Sequence, residues 1–326
     1  MAGLTLRRAR RDPITRSLTR EVRVSADQLI QPCFVVEDLR ERSEVPGMGE
    51  VFRETPDSLL FQTERDLDAG VRAVLLFGVP KDKRERDFDP SFTAAQIAAL
   101  KRRFGEDLWV GVDVCLCSST AHGHCGILND ERDHVDNGAS VEALANLALA
   151  YAEAGADCVA PSDMMDGRVG AIRQKLDAEG YERTLLMAYS AKFHSVFYGP
   201  FRVAADAAPK QATSLKDRAT YQIDPTRPTD ARLSSERDAA EGADILMVKP
   251  GLFYLDILKD LSQRIARPWA VYQVSGEFAA LELLAREGLA SSRAAAHREA
   301  WTAFVRAGAS IILTYGARHG REWLAE

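Results

Sequence analysis

Two short apolar runs in this chain each end at a lysine: Met187-Ala188-Tyr189-Ser190-Ala191-Lys192-Phe193 and Leu246-Met247-Val248-Lys249-Pro250. A lysine at the end of a buried strand is costly unless its charge is paired or lost. One such lysine alone is ordinarily a stem packed in the core with its head in water. Two at the same place in a repeating unit call for a chemical reason, and amine attack on a carbonyl substrate supplies one. Like charges brought together disfavour protonation, and burial adds to the effect. A lysine with a reference pKa of ~10.4 must lose about 4–5 kcal/mol of preference for its charged form to be substantially neutral at pH 7. A dry pocket holding a second ammonium and a metal ion could supply that.

Three of the five cysteines crowd together, in Gly111-Val112-Asp113-Val114-Cys115-Leu116-Cys117 followed by His122-Gly123-His124-Cys125. Alternation along a strand puts Asp113, Cys115 and Cys117 on one face, and the following loop returns Cys125 to them. Three thiolates fill three of the four tetrahedral positions of zinc and leave one open, the mark of a catalytic site. The alternatives are a structural zinc completed by His122 or His124, or three free thiols in a tight turn. His124 is expected beside the ligands rather than among them. Cys33 and Cys158 lie in apolar runs and are expected in the core.

Eight apolar runs of strand length can position these groups: Leu29–Val36, Val71–Gly78, Leu108–Val114, Ala156–Pro161, Thr184–Tyr189, Ala243–Val248, Trp269–Ser275 and Ala309–Tyr315. They are largely continuous rather than alternating, as strands buried on both faces are. Amphipathic helix patterns lie between most of them. Ser140 can cap one whose apolar face is Leu144, Leu147, Ala148 and Tyr151. A junction recurs at Ala69-Gly70-Val71, Ala154-Gly155-Ala156, Glu241-Gly242-Ala243 and Ala307-Gly308-Ala309, with glycine placed to end a helix in the left-handed conformation. One βα unit used repeatedly, with eight strands, predicts a closed α/β barrel, the (β/α)8 TIM fold. A doubly wound open sheet is the runner-up, but no G-x-G-x-x-G follows any strand.

Catalytic groups of such a barrel sit at the C-terminal ends of its strands. The polar residues there are Asp113 with Cys115 and Cys117, Ser162 with Asp163 and Asp166, Lys192, Lys249, Ser275 and Tyr315. The connection from Tyr198 to about Ser235 is long and polar, with Pro200, Pro209, Pro225 and Pro228, and is expected to be a lid over the active site. Arg202, Arg218 and Gln222 lie in or beside it. Their spacing alone reads as solvated surface, though arginine's planar fork also matches a carboxylate. The organisation expected is an arm over residues 1–27 and one barrel over 28–326, with the lid at about 198–235.

The composition, 46% hydrophobic and 28% charged in 326 residues, is that of an ordinary globular protein. A net charge of −6 argues against nucleic acid as a main partner. No apolar run approaches the ~20 residues of a membrane span, and the arginine-rich start, MAGLTLRRARRDPITRSLTREV, has no apolar segment of a secretory signal. A cytoplasmic location is expected. Arg7, Arg8, Arg10 and Arg11 suit an arm laid on a neighbouring subunit of an acidic protein.

The runs DVCLC…HGHCG, APSDMMDGRV, YSAKF…FYGPFR, MVKPG, YQVSGE and LTYG, in that order over nearly the whole chain, resemble the delta-aminolevulinic acid dehydratase (porphobilinogen synthase) family. The resemblance implies condensation of two 5-aminolevulinate molecules to porphobilinogen with loss of two waters, in tetrapyrrole biosynthesis. By resemblance, Lys249 holds the first substrate as a Schiff base, with Ser275 and Tyr315 binding its carboxylate. Lys192 is the second-site lysine, and Arg202, Arg218 and Gln222 grip the second carboxylate. Tyr198 joins the substrate-binding set, and Asp113, Ser162 and Asp163 surround the substrate amines and proton transfers. Cys115, Cys117 and Cys125 match the zinc-dependent branch, although CSSTAHGHC stands for the common CPYTSHGHC. Many bacterial relatives carry at Ser234 a glutamate that holds magnesium; Glu236 is near but out of register, which puts magnesium activation in doubt. The family's octamers, with hexamers or dimers as alternatives, assemble through the N-terminal arm. Two competing readings are another Schiff-base barrel enzyme such as a class I aldolase, and a zinc-stabilised scaffold that binds tetrapyrrole precursors without turnover. Neither explains both lysines and the cysteine cluster.

Overall fold

The computed structural model describes residues 6–209 and 215–325. Eight parallel strands form a closed ring: β1 Leu29–Val36, β2 Ala73–Val79, β3 Trp109–Val114, β4 Cys158–Pro161, β5 Leu185–Lys192, β6 Ile245–Lys249, β7 Trp269–Tyr272 and β8 Ile311–Leu313. Each pairs with the next in sequence, and β8 closes on β1 through Leu29 opposite Ile312 and Ile30 opposite Leu313. The fold is the (β/α)8 barrel, and the open-sheet alternative is set aside. The four strands that follow Gly70, Gly155, Gly242 and Gly308 start two residues later than their apolar runs, because the residues after each glycine are still completing the helix cap.

The caps repeat. Gly70, Gly155, Gly242 and Gly308 all have φ near +100°. The amide of the residue after each glycine donates to the carbonyl five residues back, Val71 to Asp66, Ala156 to Tyr151, Ala243 to Asp238 and Ala309 to Phe304. This bond satisfies carbonyls that the helix end leaves open and turns the chain into the next strand.

Helices cover the outside: α1 Pro56–Asp68, α2 Ser91–Phe104, α3 Asn137–Glu153, α4 Arg168–Ala178, α5 Pro228–Ala240, α6 Leu255–Arg264, α7 Ser275–Arg286, α8 Arg293–Ala307 and α9 Gly320–Ala325. The expected apolar face of α3 is buried, but its cap is Asp136, whose carboxylate accepts the Ala139 amide. Ser140 lies inside the helix; its hydroxyl accepts from Ile127 and donates to the Asp136 carbonyl, tying the small Ile127–Leu128/Val135–Asp136 hairpin to α3.

Period-two alternation sorts the strand residues into two cores. Val110, Val112, Val159, Leu186, Leu246, Val271 and Ile312 meet the helices. Phe34, Phe77, Ala160, Met187, Tyr189, Met247, Tyr272 and Leu313 fill the barrel. One strand breaks the pattern. Against β6, Ala188 pairs with Leu246 and Ala191 with Val248, so β5 carries one extra residue, a β-bulge. Plain alternation from Tyr189 would point Ala191 inward and Lys192 at the helices. The bulge reverses this, so that Ala191 joins the outer core and Lys192 enters the barrel.

The span 198–235 is not one continuous lid. It begins with the short helix Gly199–Ala204, and from Pro228 onward it is α5, a barrel helix packed on β5. Part of it, 210–214, lies outside the described residues, as do residues 1–5 of the arm. The described arm is a 3-10 turn, Leu6–Arg10, and a helix, Pro13–Leu18, whose Asp12 cap accepts the Thr15 amide. Leu6, Ile14 and Leu18 on it are exposed. Among the described residues no helix is long and apolar enough to cross a membrane.

Candidate active site

The C-terminal ends of β3 to β8 converge on two buried lysines. Lys249 Nζ stands 4.0 Å from the ring centre of Tyr272, 4.8 Å from Phe201, 5.1 Å from Tyr189 and 5.5 Å from Tyr198. Lys192 Nζ lies 5.6 Å from the same Tyr189 ring and donates to the Ser162 carbonyl. The two environments differ. Burial, and then the Lys192 charge, bring the Lys249 amine down to about 7, with Asp113 opposing the shift. About half of it is then neutral near pH 7, the form that nucleophilic attack requires.

Asp113 faces both lysines. Burial raises its carboxyl to about 6 against the pull of Lys192 and Lys249, and one of its oxygens is buried without a hydrogen-bond partner. Asp163 is also raised to about 6 by burial, with Arg168 opposing. Its Oδ1 accepts the Met165 amide at 2.7 Å and its Oδ2 stands 3.7 Å from Arg168 Nε. Carboxyls held near 6 can take and give protons close to neutral pH.

The three thiols do meet, but not through strand alternation: β3 ends at Val114, and the turn beyond it carries Cys115 and Cys117. The Sγ atoms of Cys115, Cys117 and Cys125 lie within 4.8 Å of one another, with Cys115 and Cys117 at 3.3 Å. Hydrogen bonds from Cys115 and Cys117, and then the Arg218 and Lys192 charges, hold the Cys125 thiol well below the usual range despite its burial. Three converging sulfurs, one of them ready to ionise, fit a thiophilic metal ion. Neither histidine is grouped with the three sulfurs, and the second nitrogen of His122, Nε2, faces Glu85 at 3.6 Å. His122 Nδ1 accepts the His124 amide, while His124 meets the Tyr221 hydroxyl at Nδ1 and the Leu215 carbonyl at Nε2. Tyr221 in turn accepts the Cys125 amide, so His124 braces a thiol loop from behind.

Arg218 and Gln222 are buried and Arg202 is half-buried. Arg218 donates to the Gly123 and Ala207 carbonyls, fastening the thiol loop to the segment after Gly199–Ala204. Burial and the nearby Arg218 lower the Arg202 guanidinium. The Nε atoms of both arginines and both amide atoms of Gln222 are buried without partners in the described chain. Such groups suit a planar anion supplied by a ligand. Ser275 accepts the Phe201 amide and donates to the Phe197 carbonyl, so here its hydroxyl holds the start of the helix Gly199–Ala204. Tyr315 pairs with Tyr272 at 3.2 Å, and Tyr198 donates to the Phe193 and Lys249 carbonyls. Ser234 lies on α5, where Arg237 Nη2 reaches its hydroxyl at 3.4 Å while Nη1 of the same arginine pairs with Asp166; Glu236 pairs with Arg232.

Pattern reading missed several neighbours. Tyr189, Tyr272 and Phe201 wall the lysines, and only their inward strand parity or lid position could have signalled it. Glu277 accepts the Val274, Leu252 and Gly251 amides, tying the loop after Lys249 to the start of α7.

Fold and site define a class: a (β/α)8 barrel enzyme with paired amines beside a thiol cluster able to hold a metal. The comparisons narrow it. The sequence model of the delta-aminolevulinic acid dehydratase family matches residues 4–323. The enzyme of that name from Methanothermobacter thermautotrophicus is 41% identical over 319 residues, covering 96% of this chain and 94% of its own. That of Bacillus subtilis is 38% identical over 324 residues, 98% of each. The crystal structure of delta-aminolevulinic acid dehydratase (porphobilinogen synthase) from Toxoplasma gondii ME49, in complex with the reaction product porphobilinogen, is similar at a TM-score of 0.93. It is 38% identical, over 98% of this chain and 91% of that one. The chain belongs to the delta-aminolevulinic acid dehydratase family.

Proposed function

We propose that this chain is a porphobilinogen synthase, joining two 5-aminolevulinate molecules into porphobilinogen and releasing two waters. The observation that carries the reading is the pair of lysines turned into one barrel mouth across the Tyr189 ring, beside Asp113 and three thiols. Lys249 attacks the ketone of the first substrate as the neutral amine, giving a Schiff base and water. Ser275 and Tyr315 hold that substrate's carboxylate, Ser275 by giving up its bonds at the start of the helix Gly199–Ala204, and Tyr198 fixes the Lys249 peptide. Lys192 holds the second substrate, whose carboxylate meets the unpartnered groups of Arg202, Arg218 and Gln222. Asp113, Ser162 and Asp163 hold and move protons around the substrate amines.

Cys115, Cys117 and Cys125 would hold zinc, which supplies Lewis acidity to a carbonyl or hydroxyl oxygen. The exposed apolar residues of the arm support self-association, with an octamer as the expected form. A cytoplasmic location suits this chemistry. The structure offers no argument for a magnesium site at Ser234.

The test is an assay of the purified protein with 5-aminolevulinate, following porphobilinogen by mass and colour with and without a zinc chelator. Product that disappears on chelation and returns with zinc is expected. Product unaffected by complete metal removal would make the thiol site structural. A folded oligomer inactive under every metal condition would overturn the proposal and favour a binding scaffold.

A further inference from the structure

The bulge that turns Lys192 into the barrel leaves the Tyr189 carbonyl to a partner from outside the sheet. That partner is Arg168, the first residue of α4, which is fully buried. Its Nη2 donates to the Tyr189 carbonyl at 3.2 Å and its Nη1 to the Met165 carbonyl at 3.3 Å. Asp238, a fully buried residue of α5, holds the same two nitrogens at 3.2 and 3.1 Å. The remaining nitrogen, Nε, faces Asp163 Oδ2 at 3.7 Å, and both atoms are buried with no other partner.

The segment Arg168 braces is strained. Met164, between Asp163 and Met165, has φ +74°, which a side chain with a Cβ rarely adopts. Such strain persists only where surrounding contacts over-determine the backbone. The same loop supplies the Ser162 carbonyl that receives Lys192 Nζ. One guanidinium therefore reaches both ends of that contact: the bulge that aims the amine and the loop that receives it.

We infer that Arg168, held by Asp238, is a positioning residue that sets the Lys192 amine through the β5 bulge and the Ser162–Asp163 loop. The inference rests on the proposed role of Lys192 as a reactive amine; its geometric part stands apart from the substrate. Neither residue touches the reacting atoms. Fork geometry is what the role requires, since five donors in one plane face the Tyr189 and Met165 carbonyls, both Asp238 oxygens and Asp163 Oδ2.

Single variants leave a buried charge alone and threaten the fold, so the decisive variant removes both charges, Arg168→Met with Asp238→Leu. Apolar replacement of a buried ion pair is commonly tolerated by the fold. Reductive methylation with formaldehyde and cyanoborohydride, mapped by mass spectrometry, reads each lysine without needing substrate. In the folded double variant, Lys192 labelling is expected to change at least fivefold relative to Lys249. Lys249 labelling and metal content should stay within twofold, and hydrogen exchange should quicken in the peptide spanning 186–193. With 5-aminolevulinate, kcat should fall tenfold or more. Arg168→Lys, keeping the charge without the fork, should show the same bias in labelling. A folded double variant with an unchanged Lys192-to-Lys249 ratio would overturn the inference. So would parallel loss at both lysines together with the metal, which marks general collapse. A wild-type protein that makes no porphobilinogen, yet whose labelling ratio shifts in the variant, would sink the proposed function and leave the positioning role intact.

Discussion

Replacing Lys192 with methionine removes a positive charge while preserving an unbranched apolar stem. Lys192 and Lys249 Nζ flank one ring, so they are no more than about 11 Å apart, the two ring distances laid end to end. At an effective dielectric of about 20, that separation corresponds to at least about 1.5 kcal/mol of repulsion, or about one pKa unit. Burial, the larger cause, remains. Lys249 should therefore titrate about one unit above its present value of about 7, still below an ordinary lysine. At pH 7 its neutral fraction would drop from about half to about one in ten, a fivefold loss of attacking amine. Asp113 works in the opposite sense. Losing Lys192 raises its carboxyl, and a protonated Asp113 supports the Lys249 ammonium less. An Asp113→Asn background separates the two effects. Product formation cannot report this, because it needs both lysines. The assay is the rate at which cyanoborohydride traps 5-aminolevulinate on Lys249, measured from pH 5.5 to 9.5 in Lys192→Met and in Lys192→Met with Asp113→Asn. A midpoint that stays put or falls in both would refute the charge argument and leave burial as the sole cause.

Other expectations follow from the same contacts. His124→Ala removes the brace behind Tyr221 and Cys125, and zinc affinity, read by competition with a chromogenic chelator, should weaken about 10- to 100-fold with the fold retained. Glu277→Gln sets an amide NH2 against backbone N–H donors and should cost about 1–3 kcal/mol in urea unfolding. Asp163 has a raised carboxyl in the folded state, so its contribution to stability is present below its ordinary range and lost as pH rises through about 6. Relative to Asp163→Asn, wild-type stability should therefore fall between about pH 4 and pH 6, by at most about 1.4 kcal/mol per unit, and level off above; a flat difference in urea midpoints would contradict this.

The barrel was legible because its signals repeat. Continuous apolar runs mark strands buried on both sides, and four glycines at helix ends mark the register of one unit. The thiol cluster was legible because its cysteines lie close together in sequence, in the connection that follows β3. The failures have a common cause in contacts between elements. Ser140 sits ahead of an apolar face as a cap would, yet Asp136 reaches the free amides first, and Ser140 serves a hairpin instead. The polar content of 228–235 reads as loop, but its buried face is small, Ala231 and Ser235, and needs only β5 beside it to be a helix. The orientation of Lys192 had no signal at all. Alternation from Tyr189 points it outward, and an extra residue in β5 shows only against its partner strand.

That extra residue also bears on the order of events. The two amines differ in what surrounds them rather than in kind. Lys192 donates to the Ser162 carbonyl and stands next to a loop held by a buried ion pair. Lys249 is enclosed by the rings of Tyr189, Tyr198, Phe201 and Tyr272 and is the group whose charge burial drives off. An amine attacks a ketone only with its lone pair free. Lys249 meets that condition in the resting enzyme, whereas Lys192 must first give up its hydrogen bond to the Ser162 carbonyl. The proposed use of both lysines needs both amines on one face of the barrel, which the bulge in β5 provides.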